Sequence, residues 1–475
     1  MKKRMPKRIM IAAPKSGSGK TTVTTALLYA LAKRGFSPGS YKCGPDYIDP
    51  LFHETVLGVE SRNLDAFFSG GEGMRNILSD CTGDCAVLEG VMGLYDGMRV
   101  SDIKGSSYET ASLTDTPIIL VVDAASTGRT VIPMIKGILA DDGHKLIKGV
   151  ILNRISSGFY EEIKPVLSDA LSEMGDVRLL GSIPRNESIS IGSRHLGLML
   201  PNEISDIRKK IGLAAEMLEE CVDMDALIAI MDEYSGPAHE SAGIKAVRGA
   251  LCTAGSAVPP DGSGLTLAVA YDGAFCFYYR ANLEAFSKRG VQIRYFSPMN
   301  DPAVPPDADG ILLGGGYPEN HLIKLSGNTS MLRSVKEAID SGIPTLAECG
   351  GYMYLHKTIK DPEGNSFPMA GVVDGECFYS GHLVRFGYMQ IESAAGSGTE
   401  GLTQSLIGMK GHEFHYYDST ACGRAFTARK PGRDISWECC IEGGNGIWGF
   451  PHFYYDSCPG FAESFIRRMK EKKHG

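Results

Sequence analysis

The sequence predicts two α/β domains in series, joined by a linker, and three features support this. Short, wholly apolar runs alternate with stretches whose apolar residues recur at helical spacing, the pattern of strands buried on both faces of a parallel sheet and connected by helices. Glycine is abundant, at 58 of 475 residues, as many tight turns between strands and helices require. A stretch rich in Pro, Gly, Ser and Ala then interrupts the rhythm near 237–264, and the α/β alternation restarts after it. The expected organisation is residues 1–236, a linker at 237–264, and residues 265–475. At about 100–200 residues per domain, the length suits this division.

In the first domain the expected strands are Ile9–Ala13, Ala86–Leu88, Pro117–Asp123, Leu146–Leu152 and Val177–Ile183. Between and after them, Val23, Ala26, Leu27, Ala30 and Leu31 mark one helix, and Ile204, Ile207, Ile211, Leu218 and Cys221 another. In the second domain, strands are expected at Leu265–Tyr271, Val291–Phe296, Gly310–Leu313 and Ile343–Ala347, with helices over Arg280–Arg289 and Met331–Ser341. The aromatic cluster Phe275, Phe277, Tyr278 and Tyr279 is expected in a core or a domain interface.

Composition narrows the function classes. The net charge of −8 and the absence of a basic patch give no electrostatic footprint for nucleic acid. No apolar run approaches the roughly 20 residues of a membrane helix, so no membrane association is expected. The basic start, Lys2 to Arg8, precedes an apolar run too short for a signal peptide. The 12 cysteines show neither paired metal-ligand spacing nor a disulfide framework, which fits reduced thiols in a cytoplasmic protein.

The segment Pro14-Lys15-Ser16-Gly17-Ser18-Gly19-Lys20-Thr21-Thr22 lies between an expected strand and an expected helix. Glycines at Gly17 and Gly19 let backbone N–H groups surround phosphate oxygens, and the helix N-terminus faces the anion. Lys20 would neutralise the β- and γ-phosphates of ATP, and the Thr21 hydroxyl would ligate Mg2+. Pro14 replaces the usual first glycine and Lys15 is an added early lysine. That variant resembles the P-loop of the dethiobiotin-synthetase and partition-ATPase superfamily.

Magnesium needs carboxylates. Glu89 follows the run Ala86–Leu88 at a strand's carboxyl end, and Asp46 and Asp49 lie on the turn Gly44-Pro45-Asp46-Tyr47-Ile48-Asp49-Pro50. The competing reading of each is a solvated turn acid. Asn153, with Arg154, follows a strand and could edge the purine.

In the second domain, Thr345-Leu346-Ala347-Glu348-Cys349-Gly350-Gly351 reads as strand, sharp turn and helix, a nucleophile elbow. The helix N-terminus is expected to favour the Cys349 thiolate, and the Gly350 N–H to serve an oxyanion hole. A second donor is expected from Gly314-Gly315-Gly316, centred on Gly315. The late His452 is the candidate base, and a buried structural thiol is the alternative for Cys349. Gly411-His412-Glu413-Phe414-His415 is a near miss for a zinc motif, with its histidines three apart instead of four.

Taken in order, Lys15–Thr22, Gly44–Pro50, Glu89–Gly97, Ser193–Leu198, Ala347–Leu355 and Gly411–Tyr416 resemble the cobyrinate a,c-diamide synthase family over almost the whole length. The resemblance implies a dethiobiotin synthetase-like P-loop domain followed by a class I glutaminase-like domain. It also implies glutamine and a tetrapyrrole polycarboxylate, cobyrinate, as substrates, in a chain free to form a homodimer.

By the same resemblance Cys349 is the glutaminase nucleophile. His452 matches the catalytic histidine in a C-terminal motif that departs at Pro451 and Tyr454, leaving the partner that orients His452 unassigned. Lys20, Thr21, Asp46 and Glu89 fall in the ATP–Mg2+ site, and Asp49, Arg194 and His195 near carboxylate activation. The rivals are the same reaction on nickel-sirohydrochlorin or on hydrogenobyrinate. From another class, the rival is a partition-type ATPase switch carrying an inert glutaminase-like module.

Overall fold

The computed structural model describes residues 5–189, 193–194, 197–198, 207–235, 261–394, 402–443 and 445–474. The chain divides into two compact units, Met1–Ala246 and Val247–Gly475. Of the expected linker, 237–260 lies outside the described residues, as does Ile204. Among the described residues, no helix is long and apolar enough to cross a membrane.

The first unit is built on β1 (Lys7–Ala12), β2 (Pro38–Cys43), β3 (Ser61–Leu64), β4 (Cys85–Glu89), β5 (Ile118–Asp123), β6 (Ile147–Asn153) and β7 (Arg178–Ile183). They form one sheet, β3-β2-β4-β1-β5-β6-β7, in which every pairing is parallel. Strand alternation divides the apolar runs between two cores. Met10, Leu88, Leu120 and Val150 pack on one face. Ile9, Ile11, Val87, Val121 and Ile151 pack on the other, with Val23, Ala26, Leu27, Ala30 and Leu31 of the helix Lys20–Lys33. Two short strands, β8 (Ser193–Arg194) and β9 (Gly197–Leu198), pair antiparallel. The composition of β2 and β3, which includes Ser, Lys, Arg and Asn, hides these strands from a search for apolar runs.

The second unit begins with β10 (Thr266–Ala270), β11 (Gln292–Phe296), β12 (Gly310–Leu313) and β13 (Thr345–Glu348), at the expected places. Next come β14 (His356–Lys360), β15 (Ser366–Pro368), β16 (Val373–Tyr379), β17 (Arg385–Ala394), β18 (Lys410–His415) and β19 (Tyr417–Ser419). The last strands are β20 (Phe426–Arg429), β21 (Ser436–Cys439), β22 (Ile441–Gly443), β23 (Gly446–Gly449) and β24 (His452–Tyr454).

The main sheet runs β11-β10-β12-β13-β23-β22, parallel except for the β22–β23 hairpin. Two further sheets, β15-β14-β16-β19 and β21-β20-β17-β18-β24, are largely antiparallel. Their strands are half-exposed and polar on one side, so they lack the continuous apolar runs that mark a parallel sheet. Phe275 and Tyr279 are buried, Phe275 in the core of this unit.

Candidate functional sites

In the first unit the functional side chains gather at the carboxyl ends of β1, β2 and β4. The loop after β1 turns through Gly17 (φ 76°) and Gly19 (φ 97°), a left-handed backbone that a side chain would strain. Gly19 also admits a neighbour closely, since a Cβ there would lie 2.3 Å from Asn153 Nδ2. Lys15 is exposed on the loop. Thr22 follows Thr21 in the first turn of the helix Lys20–Lys33. The buried Lys20 ammonium donates to Met92 O at 2.5 Å. Burial, then Lys42, brings Lys20 down to about 8, while Glu89 and Asp49 act the other way.

Asn153, the expected edge of the purine site, is bonded to the phosphate loop. Its Nδ2 donates to Ser18 O (2.8 Å), and Arg154 donates to Gly17 O (2.9 Å) and Asp123 (3.0 Å). These residues buttress the loop itself, because the pairing of β5 with β6 brings the end of β6 to its flank.

Thr21 Oγ1 donates to Glu89 Oε1 at 2.6 Å, joining the phosphate loop to the end of β4. Lys42, on β2, donates to Glu89 Oε1 at 2.9 Å and is ion-paired with Asp49. Burial opposes the Lys42 charge, but Asp49, Glu89 and Asp46 prevail and hold its ammonium well above the usual range. Burial likewise works against the Asp49 carboxylate, which Lys42 nevertheless holds down. Burial and Asp49 push Glu89 up to about 7 and Asp46 up to about 6. Asp46 Oδ1 accepts the Ile48 and Asp49 N–H groups (2.8 and 3.1 Å), pinning the turn. Behind Glu89, His53 receives support from Ser40 (2.8 Å) and stands 3.7 Å from Glu89 Oε2.

Glu89 Oε2 is buried without a hydrogen-bond partner. With three carboxylates sharing the Lys42 charge, the region suits a divalent cation. Among the described residues no three His, Cys, Asp or Glu side chains converge as a complete metal cage. The unpartnered Glu89 Oε2 beside the Thr21 hydroxyl fits Mg2+, which keeps waters and substrate phosphates beside one or two protein ligands. Arg194 lies in β8, and His195 lies outside the described residues.

In the second unit, Cys349 occupies the sharp turn between β13 and the helix Gly350–Leu355, with φ 46° and ψ −105°. A non-glycine residue held there is strained, as an elbow that projects a nucleophile requires. Parallel pairing sets Glu348 beside Gly449, and Cys349 N–H donates to Gly449 O (2.8 Å). His452 follows at the start of β24. Asn282 clamps that strand: its Nδ2 donates to Phe453 O (2.7 Å) and its Oδ1 accepts from Tyr455 N–H (2.8 Å).

The glycine loop after β12 reaches both residues. A Cβ on Gly315 would lie 2.2 Å from His452 Cε1, and one on Gly350 would lie 3.2 Å from Gly316 N. The Cys349, Gly350, Gly315 and His452 segments therefore meet at the carboxyl ends of β12, β13 and β23.

The surroundings oppose the expected thiolate. Burial, then Glu319 and Glu413, push the Cys349 thiol up, and the Gly350 N–H only partly opposes them. Burial, with His412 and His415, brings His452 down to about 3. Both shifts favour a neutral thiol beside a neutral imidazole. Burial raises Glu348 to about 8 despite the Tyr455 hydroxyl that donates to it (2.7 Å).

The histidines of the near-zinc segment lie on β18, where residues three apart face opposite sides. His412 pairs across the ladder with His452, while His415 contacts Glu413 at 3.1 Å. Sequence reasoning missed Lys42 and His53, and it gave Glu413 and His415 no role of their own beyond the near-zinc spacing and a stretch of family resemblance. The one available signal for Lys42 was a lysine inside the otherwise buried strand β2.

A family profile described as the CobQ/CobB/MinD/ParA nucleotide binding domain matches residues 9–198. Another, the CobB/CobQ-like glutamine amidotransferase domain, matches residues 266–448. The cobyrinate a,c-diamide synthase of Caldanaerobacter subterraneus is 34% identical, covering 93% of this chain and 94% of that protein. The enzyme of the same name from Clostridium tetani is 37% identical, covering 94% and 96%. The one from Picrophilus torridus is 35% identical, covering 97% and 98%.

Proposed function

Because this chain belongs to the cobyrinate a,c-diamide synthase family, whose relatives it matches over nearly their whole length, we propose that it amidates the a and c carboxylates of cobyrinate in cobalamin biosynthesis. It is a glutamine-hydrolysing carbon–nitrogen ligase. The observation that carries the finer reading is one chain holding both a strained cysteine elbow and a phosphate loop joined to a buried glutamate.

In the glutaminase unit, neutral His452 takes the Cys349 proton as sulfur attacks the glutamine carboxamide carbon. The N–H of Gly350 and the Gly315 segment face the developing oxyanion. The protonated imidazole returns that proton to the leaving nitrogen, ammonia departs, and water hydrolyses the thioester to glutamate. Burial of both partners favours this concerted use, since neither bears a charge before substrate binds.

In the P-loop unit, a substrate carboxylate oxygen attacks the γ-phosphorus of ATP, ADP leaves, and an acyl phosphate forms. Ammonia then displaces phosphate to give the amide. Phosphorylation is needed because an ionised carboxylate is a poor electrophile. Lys20 and the loop N–H groups bind and orient the phosphates. Thr21 and Glu89 would hold Mg2+, with Asp46 beside them, and the ion supplies charge neutralisation on the phosphate oxygens. Lys42 holds Glu89 and Asp49 in place, and Asp49 would serve carboxylate activation.

The test is mass spectrometry of products after incubation with glutamine, Mg-ATP and, in parallel, cobyrinate, hydrogenobyrinate or nickel-sirohydrochlorin. Two added amides on cobyrinate are expected. Reaction with only the nickel ring or only the metal-free ring would reassign the substrate. Glutamine hydrolysis with no ring modified would refute the substrate assignment, and no glutamine hydrolysis would support the ATPase-switch alternative.

A further inference from the structure

The packing around the strand that carries His452 shows what holds that strand in place. Three rings form a stack across the second unit. The imidazole of His415 lies flat on Phe450, with centroids 4.1 Å apart and planes 8° apart. Tyr352 meets the Phe450 ring edge-on, at 5.2 Å and 86°. Phe450 lies two residues before His452, and Tyr352 three residues after Cys349. One stack therefore fixes both the approach to the base and the helix that follows the nucleophile.

Hydrogen bonding at the foot of the stack constrains the protons. His415 Nδ1 is 2.6 Å from Tyr417 O, and a carbonyl can only accept, so Nδ1 carries a proton. His415 Nε2 is 3.1 Å from Glu413 Oε2, and that contact also needs a proton between the two atoms. The other carboxylate oxygen, Oε1, accepts from the Trp437 indole N–H at 3.1 Å. Glu413 and His415 are 3% and 6% exposed. The indole N–H donated to Oε1 favours the ionised acid, and the shared proton then rests on Nε2, giving a carboxylate that faces a doubly protonated ring.

We propose that Glu413 and His415 form a buried carboxylate–imidazolium pair that acts as the positioning unit of the glutaminase, holding Phe450 and through it His452 and the Cys349 helix in register. This rests on the reading of Cys349 and His452 as nucleophile and base. The pair touches neither glutamine nor the reacting atoms in this scheme. Its charge keeps the His415 ring from turning, because rotation would break both hydrogen bonds at once. A neutral ring needs only one donor direction and can rotate beneath Phe450. The antiparallel pairing of β18 with β24 carries the same constraint along the backbone, with His412 opposite His452.

Two measurements test the proposal on the full chain. In protein labelled with 15N in the histidine rings, the signals lost in His415→Phe are those of His415. They should show protons on both nitrogens at neutral pH, and Glu413→Gln should convert one nitrogen to the unprotonated type. A neutral-ring pattern in the unaltered protein would overturn the proposal. In kinetics, Glu413→Gln should lower kcat for glutamine hydrolysis about ten- to a hundredfold, the cost of a small misplacement of reacting groups, with KM unchanged. Amidation driven by ammonium salts should persist. An unchanged kcat, or a raised KM at constant kcat, would refute the positioning role.

Should Glu413→Gln lose the ammonium-driven reaction as well, the ring signals of the unaltered protein decide alone. Cys349→Ser is the separate control. Glutamine hydrolysis retained there would end the nucleophile reading while leaving the protonation of His415 to stand on its own spectrum.

Discussion

Replacing Gly315 with alanine should disable the glutaminase without unfolding the protein. A Cβ at this position would lie 2.2 Å from His452 Cε1, whereas carbon atoms in contact rest about 3.5–4.0 Å apart, so about 1.3 Å or more must be found. The backbone of Gly315 cannot easily retreat, because its carbonyl accepts the N–H groups of Cys276 and Phe277, each at 3.0 Å. The strand carrying His452 is equally fixed by the two Asn282 bonds. The imidazole itself must therefore move. Displacing a reacting group by about 1 Å costs about a hundredfold in rate, or about 2.7 kcal/mol of activation free energy. Gly315 does not have a positive φ, so the substitution acts through bulk and not through backbone strain. The assay compares glutamine-driven with ammonium-driven amidation: the former should fall about a hundredfold and the latter persist. Glutamine-driven activity within threefold of the original would refute this placement of His452.

Other outcomes follow from the same geometry. Cys349→Ala should abolish glutamine-driven synthesis and leave ammonium-driven synthesis, measured as amide product; loss of both would contradict the division of labour between the units. Lys42→Met leaves buried Glu89 and Asp49 without their cation and should destabilise the first unit by about 3–5 kcal/mol in denaturant unfolding, whereas an unchanged midpoint would show the pair to be dispensable. Because His452 is brought down to about 3, its basic form is present above that value and lost only below it. The acid limb of kcat/KM for glutamine hydrolysis should accordingly lack the inflection near 6.5 of an ordinary histidine, and finding one would contradict the buried neutral base. Mg-ATP at a hundredfold excess over its dissociation constant should raise stability by about 2.7 kcal/mol; Glu89→Gln should remove the magnesium-dependent part, and an unaltered magnesium effect would exclude Glu89 from the metal site.

The parts of both sites legible in the sequence are those made by contiguous residues. A phosphate loop is a strand, a glycine turn and a helix start, and the order Ile9–Lys33 specifies all three. The cysteine elbow is likewise local: Thr345–Glu348 form the strand, Cys349 takes the strained turn, and Gly350–Gly351 admit the close approach of neighbouring backbone. Glu89 was readable because a buried strand ends on it. The strands β2 and β3 escaped notice because their polar residues serve the site and interrupt the apolar pattern.

The sequence by itself determined the two α/β layers, the phosphate loop, Glu89 and the cysteine elbow, since short-range patterning dictates strand, turn and helix. Tertiary structure alone decided that Lys42 bridges Glu89 and Asp49, that Asn153 braces the loop, that Gly315 must be bare for His452, and that burial favours the Cys349 thiol. It likewise brought His415 onto Phe450. These outcomes depend on which strands become neighbours and how deeply they bury their charges. Pairing and desolvation are properties of the assembled sheet and are not carried by any one segment of chain.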